Sequence, residues 1–363
     1  MKRLIPLIVC MIFLCGCISI NKEKSKQKTP DTNMSGVWVT YSEVNEMLKD
    51  GNFKENFNKC LEKCKDKNIT DIFIHTRAFC DSLYPSKFFP QNELSAKYDF
   101  DVFEYLIEKF HGQGIKIHAW INPYRVKTSD ENINNLPENS PIKKLKKDID
   151  YSFCGGIFLL PSSENVKRLI TDGIREICEN YKIDGIHFDD YFYPTADESF
   201  DKISYENYKS DNDNPLTLGE FRKSHVNSLI SSVYTAVKFS NKDLLFSVSP
   251  AADINKNKNS YFADIKAWCE NGCVDIIIPQ LYFGFEYPDE KFRFNNLLDE
   301  WKKLAENTDT KLVIGLASYK INTKQEPDNE EWQNGEEIIK RQTEICKNDK
   351  KVKGIVYFSY SNI

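Results

Sequence analysis

Two adjacent carboxyl groups, Asp189 and Asp190, stand near the end of the run 184–194, DGIHFDDYFYP. A pair of carboxyls is the minimum that cleavage of a glycosidic bond requires: one gives a proton to the leaving oxygen, and the other attacks the anomeric carbon or activates a water. The run opens as a strand, whose period of two sets Ile186 and Phe188 on one face and His187 and Asp189 on the other. Asp189 is therefore expected to point into the cavity that the strand borders, and Asp190 to face sideways unless the strand bends. A second acid could also come from Glu43, Asp81 or Glu286, each just past a strand end. The competing structural reading is a turn-capping Asp190 beside an Asp189 paired with a buried Arg.

Polar and aromatic side chains recur at the ends of the other apolar runs. They give the candidate binding set Trp38, Arg77, Asp81, Tyr84, His118, Trp120, Asn122, Tyr124, His187, Tyr191, Tyr193, Ser249, Gln280, Tyr282 and Tyr357. Flat aromatic faces suit the C–H faces of sugar rings, and Asn, Gln, His and Arg can satisfy hydroxyl and N-acetyl groups. Taken singly, a His or Trp at a strand end is more often packing than ligand contact. Their recurrence at one end of every strand, with apolar residues filling the amino-terminal halves, is what points to a carbohydrate site.

For these residues to meet, the strand ends must share one face. Apolar runs at 36–41, 71–78, 116–124, from 184, 244–251, 274–283, 311–318 and 353–361 read as strands. Amphipathic segments at 54–67, 102–114, 163–181, 218–239, 260–271, 289–306 and 336–348 lie between them as helices. Eight strands, each but the last followed by a helix, is the count of an α/β fold of the (β/α)8 TIM type, in which all strand carboxyl ends open on one mouth. An open doubly wound sheet would want a glycine-rich phosphate turn after the first strand, which this sequence lacks. The eighth helix is expected to be missing, with the barrel closing without it or the N-terminal segment covering the gap. A long interruption at 125–161 is expected to be a functional loop, and a second, at 195–215, is polar and acidic.

Residues 1–17, MKRLIPLIVCMIFLCGC, join two cations to an apolar run too short to span a bilayer. Their Leu-Cys-Gly-Cys ending resembles the bacterial lipobox, so Cys17 is expected to carry lipid. The mature protein would then be a lipoprotein of the cell envelope, anchored on the outer face of a bacterial membrane. Residues 18–34 read as a flexible tether. The stretch 35–363, with no Pro-, Gly- or Ser-rich break, reads as one barrel domain. The net charge of −5, more negative still without Lys2 and Arg3, and the lack of a basic run argue against nucleic acid as a partner. The cysteines beyond the leader form no C-x-x-C or Cys/His cluster, so neither a metal site nor a cofactor is expected, and most read as core thiols.

Six blocks carry a resemblance: GVWV at 36–39, HTRAFCDSLYPS at 75–86, HAWINPYR at 118–125, DGIHFDDYFYP at 184–194, SVSP at 247–250 and PQLY at 279–282. In this order they are similar to the glycosyl hydrolase-like 10 family of bacterial lipoproteins. The resemblance implies a (β/α)8 hydrolase at the envelope acting on peptidoglycan-type glycans, particularly strands whose peptides have been removed. It puts Asp189 and Asp190 in the family's signature block, and Trp120, Asn122, His187 and Gln280 in its substrate cleft. Cys80 departs from the family, where glycine is frequent.

The run at 184 also resembles the D-G-x-D-x-D-x-E pattern of family 18 chitinases, but His187 replaces the second Asp and Tyr191 the proton-donating Glu. Tyrosine, with a pKa near 10, is a poor acid at neutral pH, so the substrate-assisted mechanism of those enzymes is not carried over. Two other readings stand beside the hydrolase. One is a catalytically inactive carbohydrate-binding barrel, which would keep the aromatic rim and not need the paired acids. The other is a polysaccharide deacetylase, for which His75, His118 and His187 would have to meet around a metal.

Overall fold

Eight parallel strands close into one barrel: β1 (Met34–Val39), β2 (Asp71–Arg77), β3 (Lys116–Ile121), β4 (Gly185–Phe188), β5 (Leu245–Val248), β6 (Ile276–Ile277), β7 (Lys311–Leu316) and β8 (Val352–Phe358). Each strand neighbours the next in sequence, and β8 returns to β1 with Gly354 opposite Met34 and Phe358 opposite Trp38. This computed structural model describes residues 34–129, 132–324 and 330–363. The leader, Cys17 and the tether up to residue 33 lie outside the described residues.

Strands buried on both faces must be apolar on both, which is why they read as near-continuous apolar runs. Met34, Trp38, Phe73, Trp120, Ile276, Ile278, Val313 and Val356 fill the barrel, while Val37, Ile72, Ile74, Ile117 and Ile186 face outward into the core beneath the helices. Each fully buried side chain of this size contributes about 1.5–3 kcal/mol. Side-chain caps start the helices where the sequence offers them: Thr40 for Tyr41–Leu48, Asp101 for Val102–His111, Ser163 for Glu164–Asn180 and Thr217 for Leu218–Ser240. The remaining layer is made by Phe53–Asp66, Phe294–Leu304 and Gly335–Asn348. Within the described residues only one turn of 3-10 helix, Tyr360–Asn362, follows β8. Lys63 fastens it by donating to the carbonyl of Tyr360 at 3.0 Å.

Three segments differ from expectation. The sixth strand keeps ladder pairing only at Ile276–Ile277, shortly before Pro279, which has no N–H to donate. The helix expected at 260–271 forms only over Ile265–Glu270, a separate short helix, Ile254–Asn259, precedes it, and Phe262 between them takes a φ of 53°. The interruption at 125–161 folds into a small antiparallel sheet of Arg125–Lys127, Ile157–Leu159 and Tyr151–Phe153.

The second interruption carries the helix Lys202–Ser210 and is pinned by a buried ion pair. Arg222 Nε lies 3.1 Å from both oxygens of Asp201, and its other nitrogens reach the carbonyls of Ala196 (3.0 Å) and Asp197 (2.7 Å). Removing one member of such a pair strands the other charge away from water. Arg222→Met is expected to cost about 3–5 kcal/mol in denaturant unfolding. All eight cysteines of the described residues are free thiols. No described helix is long and apolar enough to cross a membrane.

Candidate active site

Below the mouth lies a bed of inward side chains that satisfy one another. Trp38 donates its Nε1–H to His187 Nε2 (3.0 Å), the Ser249 hydroxyl lies 3.2 Å from the same nitrogen, and His187 Nδ1 meets Ser247 Oγ at 2.8 Å. Burial holds the His187 imidazole well below its ordinary range, so the ring is neutral. Because Nε2 accepts, Nδ1 carries the hydrogen and donates to Ser247. Trp38, His187 and Ser249 therefore support the site from beneath.

On this bed stands Asp189, buried as the strand alternation requires. Trp120 Nε1 donates to its Oδ2 at 3.1 Å, and Asn122 Nδ2 reaches Oδ1 at 3.1 Å and Oδ2 at 3.2 Å. The Tyr191 amide adds a bond of 3.3 Å to Oδ1. Burial raises the Asp189 pKa, and the Arg125 charge and the Asn122 and Trp120 donors oppose that rise.

For Asp190 the exception applies, because the chain bends. β4 ends at Phe188 and the chain turns, with Phe192 N donating to the Asp190 carbonyl at 3.1 Å. The Asp190 carboxyl comes to the Gln280 amide, which also donates to the Ser249 carbonyl at 3.0 Å. One acid thus leans toward β3 and its neighbour toward β6. Burial and the charge of Asp189 push Asp190 up to about 7, opposed by Gln280 and Lys256.

Aromatic rings border the pair on two sides. The Arg125 guanidinium carbon lies 4.9 Å from the Phe79 ring centre, 5.2 Å from Tyr191 and 6.0 Å from Tyr41. Tyr191 is 57% exposed, the geometry of a platform for a ligand. On the other side Tyr282 packs with Tyr319 and Phe358, at centroid distances of 5.9 and 5.8 Å. His75 stacks on Trp120 at 3.4 Å and accepts the Tyr41 amide at Nδ1 (3.2 Å).

Of the sequence candidates, Trp120, Asn122, Tyr191, Gln280 and Tyr282 gather around Asp189 and Asp190. Seven do not. A bulge in the β2–β3 pairing, where His75 opposes Trp120 but Arg77 opposes Ile121, shifts the facing by one residue, and such a slip sends a side chain to the opposite face. Arg77 accordingly lies outside the barrel, its guanidinium 4.1 Å from the Phe89 ring and against Gly173 of the helix Glu164–Asn180. Tyr84 packs on Phe103 and Tyr181 in the outer core, and Asp81 is tied to Asn92 Nδ2 at 3.3 Å. His118 points inward but sits two residues too low, bonded to Asp71 at 3.0 Å in space that the missing side chain of Gly185 leaves open. Tyr124 is fully buried beneath the small sheet, and Tyr193 donates to Asp201 at 3.1 Å in the Arg222 cluster. Tyr357 faces outward, its hydroxyl 3.2 Å from that of Thr343 on the last helix, and Phe358 is the inward residue.

Two of the other candidate acids also have structural duties or lie away. Glu43 completes a capping box with Thr40 and accepts from Ser359 Oγ and Ser361 N, both at 2.7 Å, tying the start of the first helix to the turn after β8. Glu286 is exposed. Glu43→Ala is expected to cost about 1–3 kcal/mol of stability in a thermal melt and to leave kcat within about twofold of wild type. A tenfold fall in kcat in the folded variant would return Glu43 to the list of acids.

The three histidines of the metal reading are separately engaged. The Phe73 ring stands between His118 (4.5 Å) and His187 (4.7 Å), and His75 is held by Tyr41 and Trp120. Among the described residues no group of three His, Cys, Asp or Glu side chains is placed to hold a metal ion.

Sequence reasoning left Arg125, Tyr41, Phe79 and Lys256 unassigned. Arg125 had a signal, since it closes the HAWINPYR block; the others come from separate segments, Tyr41 and Lys256 on two short helices and Phe79 in a loop, and share no spacing.

A closed parallel barrel whose carboxyl-terminal mouth presents two neighbouring acids between aromatic walls defines a glycoside hydrolase. The chain belongs to the glycosyl hydrolase-like 10 family, whose profile matches residues 33–334. It is 26% identical over 390 residues to glycosyl hydrolase YngK of Bacillus subtilis, covering 100% of this chain and 74% of that protein. To glycosyl hydrolase DigH of Escherichia coli K12 it is 25% identical over 411 residues, covering 98% and 92%. Among solved structures, the PgaB (BpsB) glycoside hydrolase domain of Bordetella bronchiseptica superposes with a TM-score of 0.59 at 12% identity, over 89% of this chain and 93% of that one. A cold-adapted beta-galactosidase of Rahnella sp. R3 gives 0.58 at 12% identity, over 91% and 51%. At these identities the structural likeness speaks for the fold.

Proposed function

We propose that the protein is an envelope-anchored glycoside hydrolase that cleaves aminosugar strands of the peptidoglycan type, with Asp190 as general acid and Asp189 as the ionised partner. The observation that carries the assignment of roles is the unequal treatment of two adjacent acids. Asp189 is given donors by Trp120 and Asn122, whereas Asp190 sits beside that negative charge and keeps its proton up to about pH 7. Environments that drive neighbouring acids apart in this way suit one to give a proton and the other to face the positive charge that develops at the anomeric carbon.

The walls support a sugar substrate: Tyr191 on one side, and Tyr282 with its partners on the other, leave ring faces at the mouth. Asn122 and Gln280 are read differently from the initial expectation, because their amides are spent on Asp189, Asp190 and the backbone. The aminosugar class is supported by the resemblance of the blocks at 118–125 and 184–194 to a family associated with peptide-free peptidoglycan strands. The anchor is supported by the Leu-Cys-Gly-Cys leader ending at Cys17.

The substrate reading is tested by incubating the protein with peptide-free peptidoglycan strands, chitin oligomers and a glucan of equal length. New reducing ends are expected from the aminosugar polymers and not from the glucan. Binding without product from any of the three would favour the inactive carbohydrate-binding barrel instead. The anchor is tested separately: Cys17→Ser should move the protein from the membrane fraction to the soluble one.

A further inference from the structure

We infer that Arg125 is a positioning residue that decides which of the two neighbouring acids carries the proton, keeping Asp189 as the carboxylate and leaving the acid role to Asp190. This rests on the reading of the pair given above. Arg125 acts on Asp189 in two ways. The first runs through the main chain: Arg125 N donates to Asn122 Oδ1 at 3.0 Å, which fixes the orientation of that amide and turns its NH₂ group onto both oxygens of Asp189. The second is the guanidinium itself. Its Nε donates to the Ala78 carbonyl at 3.0 Å, and the rings of Phe79, Tyr191 and Tyr41 lie around it, so the cation is fixed in place next to Tyr191, the residue whose amide bonds Asp189. Arg125 is the foremost influence opposing the rise that burial imposes on Asp189.

The other groups facing the pair do not duplicate this. His75, on β2, is held neutral by burial and by Arg125. Lys256, with Tyr261, approaches from the β5 side and acts on Asp190. Tyr282 from the β6 side and Tyr191 beside the acids are phenols that burial keeps protonated. With the Arg125 cation removed, no other cation among the described residues acts on Asp189, and the proton should spread over both carboxyls.

The test is a titration of the full chain labelled with [4-¹³C]aspartate, followed by carboxyl NMR without substrate and assigned with Asp189→Asn and Asp190→Asn. In wild type the Asp189 resonance should move in the lower step and the Asp190 resonance in the upper one. In Arg125→Gln the lower step should rise by about one unit, and both resonances should move in the upper step. Arg125→Lys, which keeps the charge, should show less than half of that rise. In kinetics, the acid limb of kcat/KM should move upward in Arg125→Gln by the same amount, with a loss that approaches about tenfold on the acid side of that limb and fades toward its alkaline side.

A lower step in Arg125→Gln within about 0.2 unit of wild type overturns the inference. Should that variant fail to fold, wild type still decides: equal movement of both resonances through one step overturns it. The titration is read without turnover, so a protein that titrates as described but releases no sugar ends would sink the hydrolase reading and leave this one in place.

Discussion

Asp190→Asn should lose about 10³-fold in kcat on glycan strands, and at the same time become more stable than wild type above neutral pH. The loss follows from the missing proton: a sugar hydroxyl leaves poorly as an alkoxide, and Asn has nothing to give it. It should therefore be largely repaired on an aryl glycoside whose leaving group departs without protonation, to within about tenfold of wild type. The gain in stability follows from linkage. Asp190 has a folded pKa of about 7, against roughly 3.9 for an unfolded aspartate, so the folded state binds this proton more tightly. The stability this brings is complete below about pH 4 and is lost as pH rises through 7. Asn carries no such dependence. Thermal melts should show the two proteins converging near pH 4, with the variant ahead at pH 8 by on the order of 1–2 kcal/mol once water around a half-buried group is allowed for. A variant less stable than wild type at pH 8, or one no better on the aryl substrate than on the glycan, would contradict the acid role.

Asp189→Asn should be the more damaging change with activated substrates. It removes the negative charge that faces the anomeric carbon, and no choice of leaving group replaces it. A loss on the order of 10³-fold is expected on glycan and aryl glycoside alike. It also sets the amide of the new Asn among the Trp120 and Asn122 donors, so one carboxylate oxygen they shared is gone. The charge of Asp189 is one of the two causes that raise Asp190. In this variant Asp190 should titrate below 7, and the alkaline limb of the residual activity should fall with it. An alkaline limb unmoved in Asp189→Asn would mean that a group other than Asp190 sets it.

The barrel could be read from the sequence because strand burial and helix amphipathicity leave long periodic runs, and the acids stood out as candidates because two adjacent carboxyls just past an apolar run are poor core material. What alternation cannot reveal is where it breaks. The bulge at the end of β2 turns Arg77 outward, and the apolar run of β8 gives no sign of which of Tyr357 and Phe358 faces the axis. Depth is equally hidden: His118 and Trp120 share a face, but at about 3.3 Å per residue the histidine lies a layer lower and bonds Asp71 instead of a ligand. The bend after Phe188, which brings Asp190 into the mouth, depends on loop contacts and on Gln280, far along the chain. Arg125 shows the same limit, since its ring partners come from three separate segments.

On the proposed reading, Asp189 and Asp190, side by side in the barrel mouth, break glycosidic bonds together. It is tested most directly by counting new reducing ends over time from peptide-free glycan strands with wild type, Asp189→Asn and Asp190→Asn, each shown by circular dichroism to be folded. Steady release is expected from wild type and almost none from either variant. Release by Asp189→Asn at the wild-type rate, or none by any of the three, would contradict it.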